Sequence, residues 1–257
     1  MKRIACILCS LVSLSFALAQ EAGTNAPPVE QAGDSNPAPA ADVSQPGGTN
    51  DQATAEGDAA SAKLDIKELM ALPEFTNSSG IIMVKISDKL WAGKYEVTQK
   101  EYKEIAGSNP SQFSADNNPV DSASWNDAMS FCAKLTEAER EEEMLPEGMA
   151  YTLPTQAQWE SFAAGVDLKD AVTGSGMTRA GTSPVGSLGA SGTGLHDVRG
   201  NVWEWSLDPQ DKPFRVARGA GWETFIEVNL RPEFRHYSNG PAEAKNSIGF
   251  RCVLAPK

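Results

Sequence analysis

"GLHDVRGNVWEWSLD", Gly194–Asp208, sets two tryptophans and a valine, which ask for burial, beside Asp197 and Glu204, which ask for water, a counter-charge or a cation. A tight turn at Gly200–Asn201 brings the ends of the segment together, because both residue types tolerate the backbone that reverses a chain. Two readings follow. Strict alternation predicts a strand with Trp203 and Trp205 buried and Glu204 pointing outward. The rival reading joins the carboxylates of Asp197 and Glu204 to the carbonyls of Gly200 and Val202, a hard-oxygen set of the kind calcium takes.

The segments around this turn predict an α+β domain with much irregular chain. "GIIMVKIS" (80–87) and "LWAGKYEV" (90–97) read as strands. Thr98 with Glu101 forms a capping box that opens a helix, and Thr155 with Gln158 forms another, its helix ending near Gly165. The clearest helix is "SWNDAMSFCAKLTEAEREEE" (124–143), capped by Ser124, with Trp125, Met129, Cys132 and Leu135 on one face. Its terminal acids, 139–143, read as a solvated face. Short strands are expected at "NVWEW" (201–205), "FRVARG" (214–219) and "IGFRCVLA" (248–255). No internal repeat is evident.

The N-terminal part has a different character. "MKR", the apolar run "IACILCSLVSLSF" and the small residues "ALA" form an export signal, residues 1–19, cleaved after Ala19. The apolar run is shorter than the ~20 residues a membrane span needs, and none later comes closer. Residues 20–62 contain no aromatic, no leucine or isoleucine, and acids without any base. Such a segment cannot bury enough apolar surface to offset its ordering entropy and reads as a disordered linker. The folded domain is expected over residues 63–257, in an exported chain, periplasmic or secreted.

Charge and cysteine count narrow the chemistry. The chain carries a formal net charge of −12, and cleavage would remove Lys2 and Arg3 with no acid. Such a surface repels phosphate backbones, and no basic stripe offers nucleic acid a footing. Cleavage would also remove Cys6 and Cys9, leaving Cys132 and Cys252. Serines in the 173–187 region lack a strand–turn–helix elbow. No glycine loop is followed by the lysine of a phosphate cradle. Two histidines, His196 and His236, are too few for a histidine-rich iron site.

Six segments, in order, resemble the formylglycine-generating enzyme family, also called the sulfatase-modifying factor domain. They are "GKYEVTQKEY" (93–102), "NPVDSASWNDAMSFCAKL" (118–135), "YTLPTQAQWESFAAG" (151–165), "GLHDVRGNVWEW" (194–205), "RVARGAGW" (215–222) and "IGFRC" (248–252). The resemblance implies one compact domain with a C-type-lectin-like core and little regular secondary structure. It also implies a structural calcium ion at Asp197, Gly200, Val202 and Glu204. Cys132 and Cys252 match positions that form a disulfide in some members. Such a link would close a long loop, worth on the order of 4–5 kcal/mol by chain-entropy reasoning. Two separate buried thiols are the alternative.

Three departures from the family pattern matter. Thr152 stands where arginine usually precedes "LPT", and Gln156 and Gln158 replace glutamates, keeping shape while removing charge. In catalytic members a cysteine pair beyond the glycine turn holds copper, and the matching positions here are Thr224 and Asn229. Hydroxyl and amide oxygens are poor donors for soft monovalent copper, so copper is not expected. The favoured expectation is a non-catalytic module that holds an extracytoplasmic protein or peptide. Trp222, Phe225, Arg231, Phe234, Arg235, His236 and Tyr237 are the candidate contact residues, of types favoured at binding hot spots. The alternatives are an oxidase acting on a sulfatase cysteine and a structural envelope component.

Overall fold

Three helices begin where a side chain can take a free backbone N–H and a second can answer it. In the computed structural model, Thr98 caps α2 (Gln99–Ala106), and the Glu101 carboxylate accepts the Thr98 N–H at 2.8 Å. Ser124 caps α3 (Trp125–Glu141), with Asp127 completing its box. Thr155 caps α4 (Gln156–Ala163), and Gln158 Oε1 accepts the Thr155 N–H. Each box satisfies two of the N–H groups that a helix start leaves without partners. A short α1 (Ile66–Ala71) precedes them. The structure describes residues 66–257 except 167–170, 172, 174–179, 188 and 208–211. The expected signal (1–19), the linker (20–62) and the domain start at 63 lie outside the described residues.

Five strands, β1 (Glu74–Thr76), β2 (Ile82–Ser87), β3 (Leu90–Gly93), β4 (Met149–Thr152) and β9 (Val253–Pro256), form an antiparallel sheet in the order β1-β2-β3-β9-β4. Both faces are covered. Met83, Trp91, Tyr151 and Leu254 belong to the same core as Phe131, Cys132 and Leu135 of α3. Val84, Leu90, Ala92, Val253 and Ala255 belong to a second core with Trp159 and Phe162 of α4 and with Leu195 and Val198. A strand buried on both faces reads as a run of apolar residues, which explains the weak alternation of "LWAG".

The smaller sheet has the order β7-β6-β5-β8, formed by β5 (Trp203–Trp205), β6 (Val216–Arg218), β7 (His236–Tyr237) and β8 (Ile248–Gly249). Only its β5–β8 pair is parallel. "IGFRCVLA" is therefore two strands rather than the one expected. Residues 250–252 cross between the sheets, and Phe250, Arg251 and Cys252 are all buried. Gly249 suits the crossing, since a Cβ there would collide with the Val120 carbonyl oxygen. "LWAGKYEV" likewise leaves its sheet at Gly93, freeing Glu96 to point elsewhere.

The acids closing α3 are not one solvated face. Glu139 is fully buried, and its carboxylate accepts the N–H and hydroxyl of both Ser78 and Ser79. It thus ties the β1–β2 loop to the helix. Glu139→Ala strands these donors and should lower the unfolding free energy by about 1.5–3 kcal/mol, read from the denaturant midpoint. An unchanged midpoint would contradict this anchor.

Candidate functional site

The turn preceding β5 is built from two consecutive residues of positive φ, Gly200 (102°) and Asn201 (59°). The Gly200 N–H donates to the Gly219 carbonyl at 2.8 Å, and the Asn201 carbonyl accepts from the Trp222 N–H at 2.8 Å. The Asn201 side chain accepts the Ser183 N–H through Oδ1 and donates through Nδ2 to Glu96 Oε2 at 2.7 Å. Glu96 Oε1 accepts the Val202 N–H at 3.1 Å. Glu96 was not among the expected site residues. Its signal is an acid set between Tyr95 and Val97 in an apolar run.

Glu204 does not point outward. It is fully buried, as is the Arg251 side chain that meets it. Arg251 donates Nη2 and Nε to Glu204 Oε1 at 2.7 and 3.0 Å, and Trp159 Nε1 donates to Oε2 at 2.8 Å. Arg251 also donates to the carbonyls of Gly93 and His196, joining the β3 end to the opening segment. Asp197 Oδ2 accepts the Gly186 N–H, whereas the buried Oδ1 has no protein partner.

The electrostatics follow from this crowding. Burial pushes the Glu96 carboxyl well above the ordinary range, and nearby Asp197 and Glu204 add to it while Arg251 opposes. Burial likewise raises Glu204 against the pull of Arg251, and raises Asp197 against its hydrogen bond from Gly186. Three carboxylates thus share one guanidinium in a region where unbalanced charge is costly.

A cation here would offset that imbalance, and Asp197 and Glu204 carry oxygens of the kind calcium takes. A carboxylate offers about four lone-pair positions. Glu204 gives three to N–H groups and keeps one on Oε2, and Asp197 Oδ1 is uncommitted. Among the described residues no three or more His, Cys, Asp or Glu side chains cluster as a metal site. An ion here would therefore rely on backbone carbonyls as much as on carboxylates, in keeping with calcium's taste for mixed oxygen sets.

The segment beyond β6 carries the expected contact residues. The Gly219–Trp222 turn leads to Thr224, which is buried and accepts the Gly221 N–H through its hydroxyl at 3.1 Å. Asn229 lies in a 3-10 helix, Glu227–Leu230. A model of the sulfatase-modifying factor enzyme 1-like domain matches residues 36–256. The chain belongs to this family.

Relatives of several kinds share the domain. A protein of Paenibacillus barcinonensis named chaperone protein LppX is 28% identical over 221 residues, covering 62% of this chain and 79% of that one. The inactive C-alpha-formylglycine-generating enzyme 2 of Mus musculus is 30% identical over 164 residues, 52% of this chain and 48% of its own length. The formylglycine-generating enzyme of Mycobacterium tuberculosis is 30% identical over 167 residues, 43% and 55% of the two chains. This chain thus spans about half the length of those two formylglycine relatives. Among solved structures, PvdO from Pseudomonas aeruginosa superposes with a TM-score of 0.57 at 18% identity, over 71% of this chain and 97% of that one. Treponema denticola variable protein 1 gives 0.56 at 22% identity, over 65% and 84%. These likenesses establish the fold, an α+β domain with the C-type-lectin-like core of the sulfatase-modifying factor family.

Within that family fold the seven candidate contact residues divide into two groups. Phe225 is 71% exposed and Tyr237 56%, and Arg231 is also exposed. The others are tied in. Trp222 Nε1 donates to the Asn246 carbonyl, and Phe234 packs on Trp203. Arg235 donates Nε to Gln156 Oε1 at 2.6 Å, while buried Arg218 donates to the same oxygen at 3.2 Å and to Glu160 at 2.7 Å. Gln156 therefore does serve in place of a carboxylate as a shared acceptor, but without its charge. Ile226 and Val228, each 48% exposed, join Phe225 in an apolar strip that sequence reasoning had not marked as a unit.

His236 is half-buried against the Trp203 ring, with the Lys245 ammonium 3.3 Å from Nε2. Burial, then Lys245, hold its pKa below the ordinary value, with Glu243 opposing. The folded chain therefore binds fewer protons than the unfolded one in this window. The stability this neutral ring contributes is present above the unfolded value of about 6.5 and is lost as pH falls through the lowered folded value. An NMR titration should place His236 below that unfolded value. A midpoint above it would contradict the buried, cation-flanked setting.

Cys132 and Cys252 are both buried and stand as free thiols rather than as the expected disulfide. Both belong to the same buried core. Burial pushes the Cys132 thiol well up, with Cys252 adding to the rise, and burial pushes Cys252 up to about 12. As thiols both are poor nucleophiles and weak metal ligands at neutral pH.

Proposed function

We propose that this domain is an exported, non-catalytic module that binds a protein or peptide, stabilised by calcium at Asp197, Gly200, Val202 and Glu204. The observation that carries the reading is the pairing of two features beyond β6. Thr224, at a position where an oxidase needs a thiolate, spends its hydroxyl on the Gly221 N–H. Immediately beside it Phe225, Ile226 and Val228 face solvent. Chemistry is withdrawn where apolar surface is offered, and contiguous exposed apolar side chains mark interaction sites.

Relatives named as inactive and as a chaperone favour the same reading. Export is supported by the leading "MKR" and apolar run. Among the described residues no helix is long and apolar enough to cross a membrane. In an oxidising compartment the neighbouring Cys132 and Cys252 would join as a disulfide. In that case neither reacts with a thiol reagent until a reductant is added.

Two measurements on the mature chain test the proposal. Incubated with copper and a sulfatase peptide bearing a cysteine, it should leave the peptide mass unchanged. Loss of mass from conversion of the thiol to an aldehyde would establish the oxidase instead. Partners captured from the exported proteins of the source cell should be identified and titrated against wild type and Phe225→Ala/Ile226→Ala. The double variant should bind at least about tenfold more weakly, as loss of a hot spot requires. Equal binding would remove the strip from the interface. Concentration-dependent assembly without any partner would favour the structural envelope component.

A further inference from the structure

The calcium reading makes no use of Glu96, yet both of its oxygens are committed to the turn. Glu96 is 1% exposed and lies between β3 and α2, more than a hundred residues before the segment it serves. Oε1 takes the Val202 N–H, and the carbonyl of the same peptide unit, that of Asn201, takes the Trp222 N–H. A peptide unit is planar, with its N–H and C=O opposed, so bonds at both ends fix its rotation. Oε2 holds the Asn201 side chain, which Ser183 grips on its other atom. One unit further on, the Trp203 N–H is bonded to the Ser247 carbonyl at 2.8 Å, which fixes the unit bearing the Val202 carbonyl.

The two carbonyls of the expected calcium set, Gly200 and Val202, flank this clamped unit on either side. The buried, unpartnered Asp197 Oδ1 is an independent sign that the turn has a place for a cation. We propose that Glu96 is the positioning residue of a calcium site at this turn. It holds the Asn201–Val202 peptide unit in the orientation the ion requires. The inference rests on the calcium reading given above.

Glu96→Gln is the discriminating variant. Its amide oxygen can still accept the Val202 N–H, but its NH2 then confronts the Asn201 Nδ2 donor. Substituting partners that orient ligands in this way typically lowers metal affinity about 10–100-fold. The full mature chain, stripped with chelator, is titrated with calcium chloride by calorimetry, and terbium luminescence excited through the neighbouring tryptophans gives a second signal. Glu139→Gln, a buried acid in helix α3, is the control for simple destabilisation.

The expected result is tight calcium binding by the wild type and by Glu139→Gln, and at least about tenfold weaker binding by Glu96→Gln. Glu96→Asp, which keeps the charge on a shorter stem, should fall between, and it serves should Glu96→Gln fail to fold. Wild type that binds neither ion overturns the calcium reading and this inference together. Calcium binding that is equal in wild type and both Glu96 variants overturns the inference alone. So does an equal loss of affinity in Glu139→Gln.

Discussion

Glu204→Gln should unfold at a much lower urea concentration than the wild type, with a loss of about 3–5 kcal/mol in unfolding free energy. The size follows from what is left behind. Arg251 keeps its place on the Gly93 and His196 carbonyls but loses the carboxylate that, among the described residues, ion-pairs with it, in a site with no exposure to water. A guanidinium cannot shed its charge as a lysine can, so the cost stays in the folded state. Arg251→Met should be damaging for the mirror reason, leaving Glu204 unpaired. The double variant Glu204→Gln/Arg251→Met should recover part of the loss, because exchanging a whole buried pair for apolar or neutral groups is often nearly free. Denaturation of all four proteins, in chelator and in calcium, gives the coupling directly. A Glu204→Gln loss below about 1 kcal/mol would mean the pair is not buried as described.

Trp159→Ala should cost about 3–5 kcal/mol, the range for removing a large buried aromatic. Trp159 is fully buried and meets Phe162 edge-on at 6.2 Å. The Arg218 guanidinium lies 5.2 Å from its ring centre. The indole N–H is also the donor on Glu204 Oε2, so one substitution opens the second core and removes part of the acid's support. Trp159→Phe separates these effects. It keeps most of the ring and loses the N–H, and should cost about 1–3 kcal/mol. The Trp159→Ala and Glu204→Gln losses should not add, since the residues share a hydrogen bond. Additive losses would show that the bond contributes nothing.

What was legible in the residues was local. The three caps at Thr98, Ser124 and Thr155 were readable because a capping box is completed within four residues. The turn at Gly200–Asn201 was readable because few other residues tolerate its backbone. That Thr224 and Asn229 stand where the family resemblance expects cysteines was an expectation resting on the order of motifs along the chain. Gaps arose where a side chain's partner lies far away. Glu139 looked like one of a solvated run because the serines it holds lie some sixty residues earlier. "IGFRCVLA" looked like one strand because its two halves are separately good strand formers, and the room that only glycine leaves beside the Val120 carbonyl is set by a distant part of the chain.

The chain's own residues therefore determined its family, its α+β class and the places where helices and turns begin. Each depends on short-range chemistry or on residue identity. The tertiary structure alone decided what the acids of the opening segment do. Glu204 faces Arg251 and Trp159, and Glu96 reaches the turn from a distant loop, because burying a charge is tolerated only where the fold delivers a counter-charge or N–H donors. It also decided that Phe225, Ile226 and Val228 form one exposed strip, since exposure belongs to the packed surface and not to the residue.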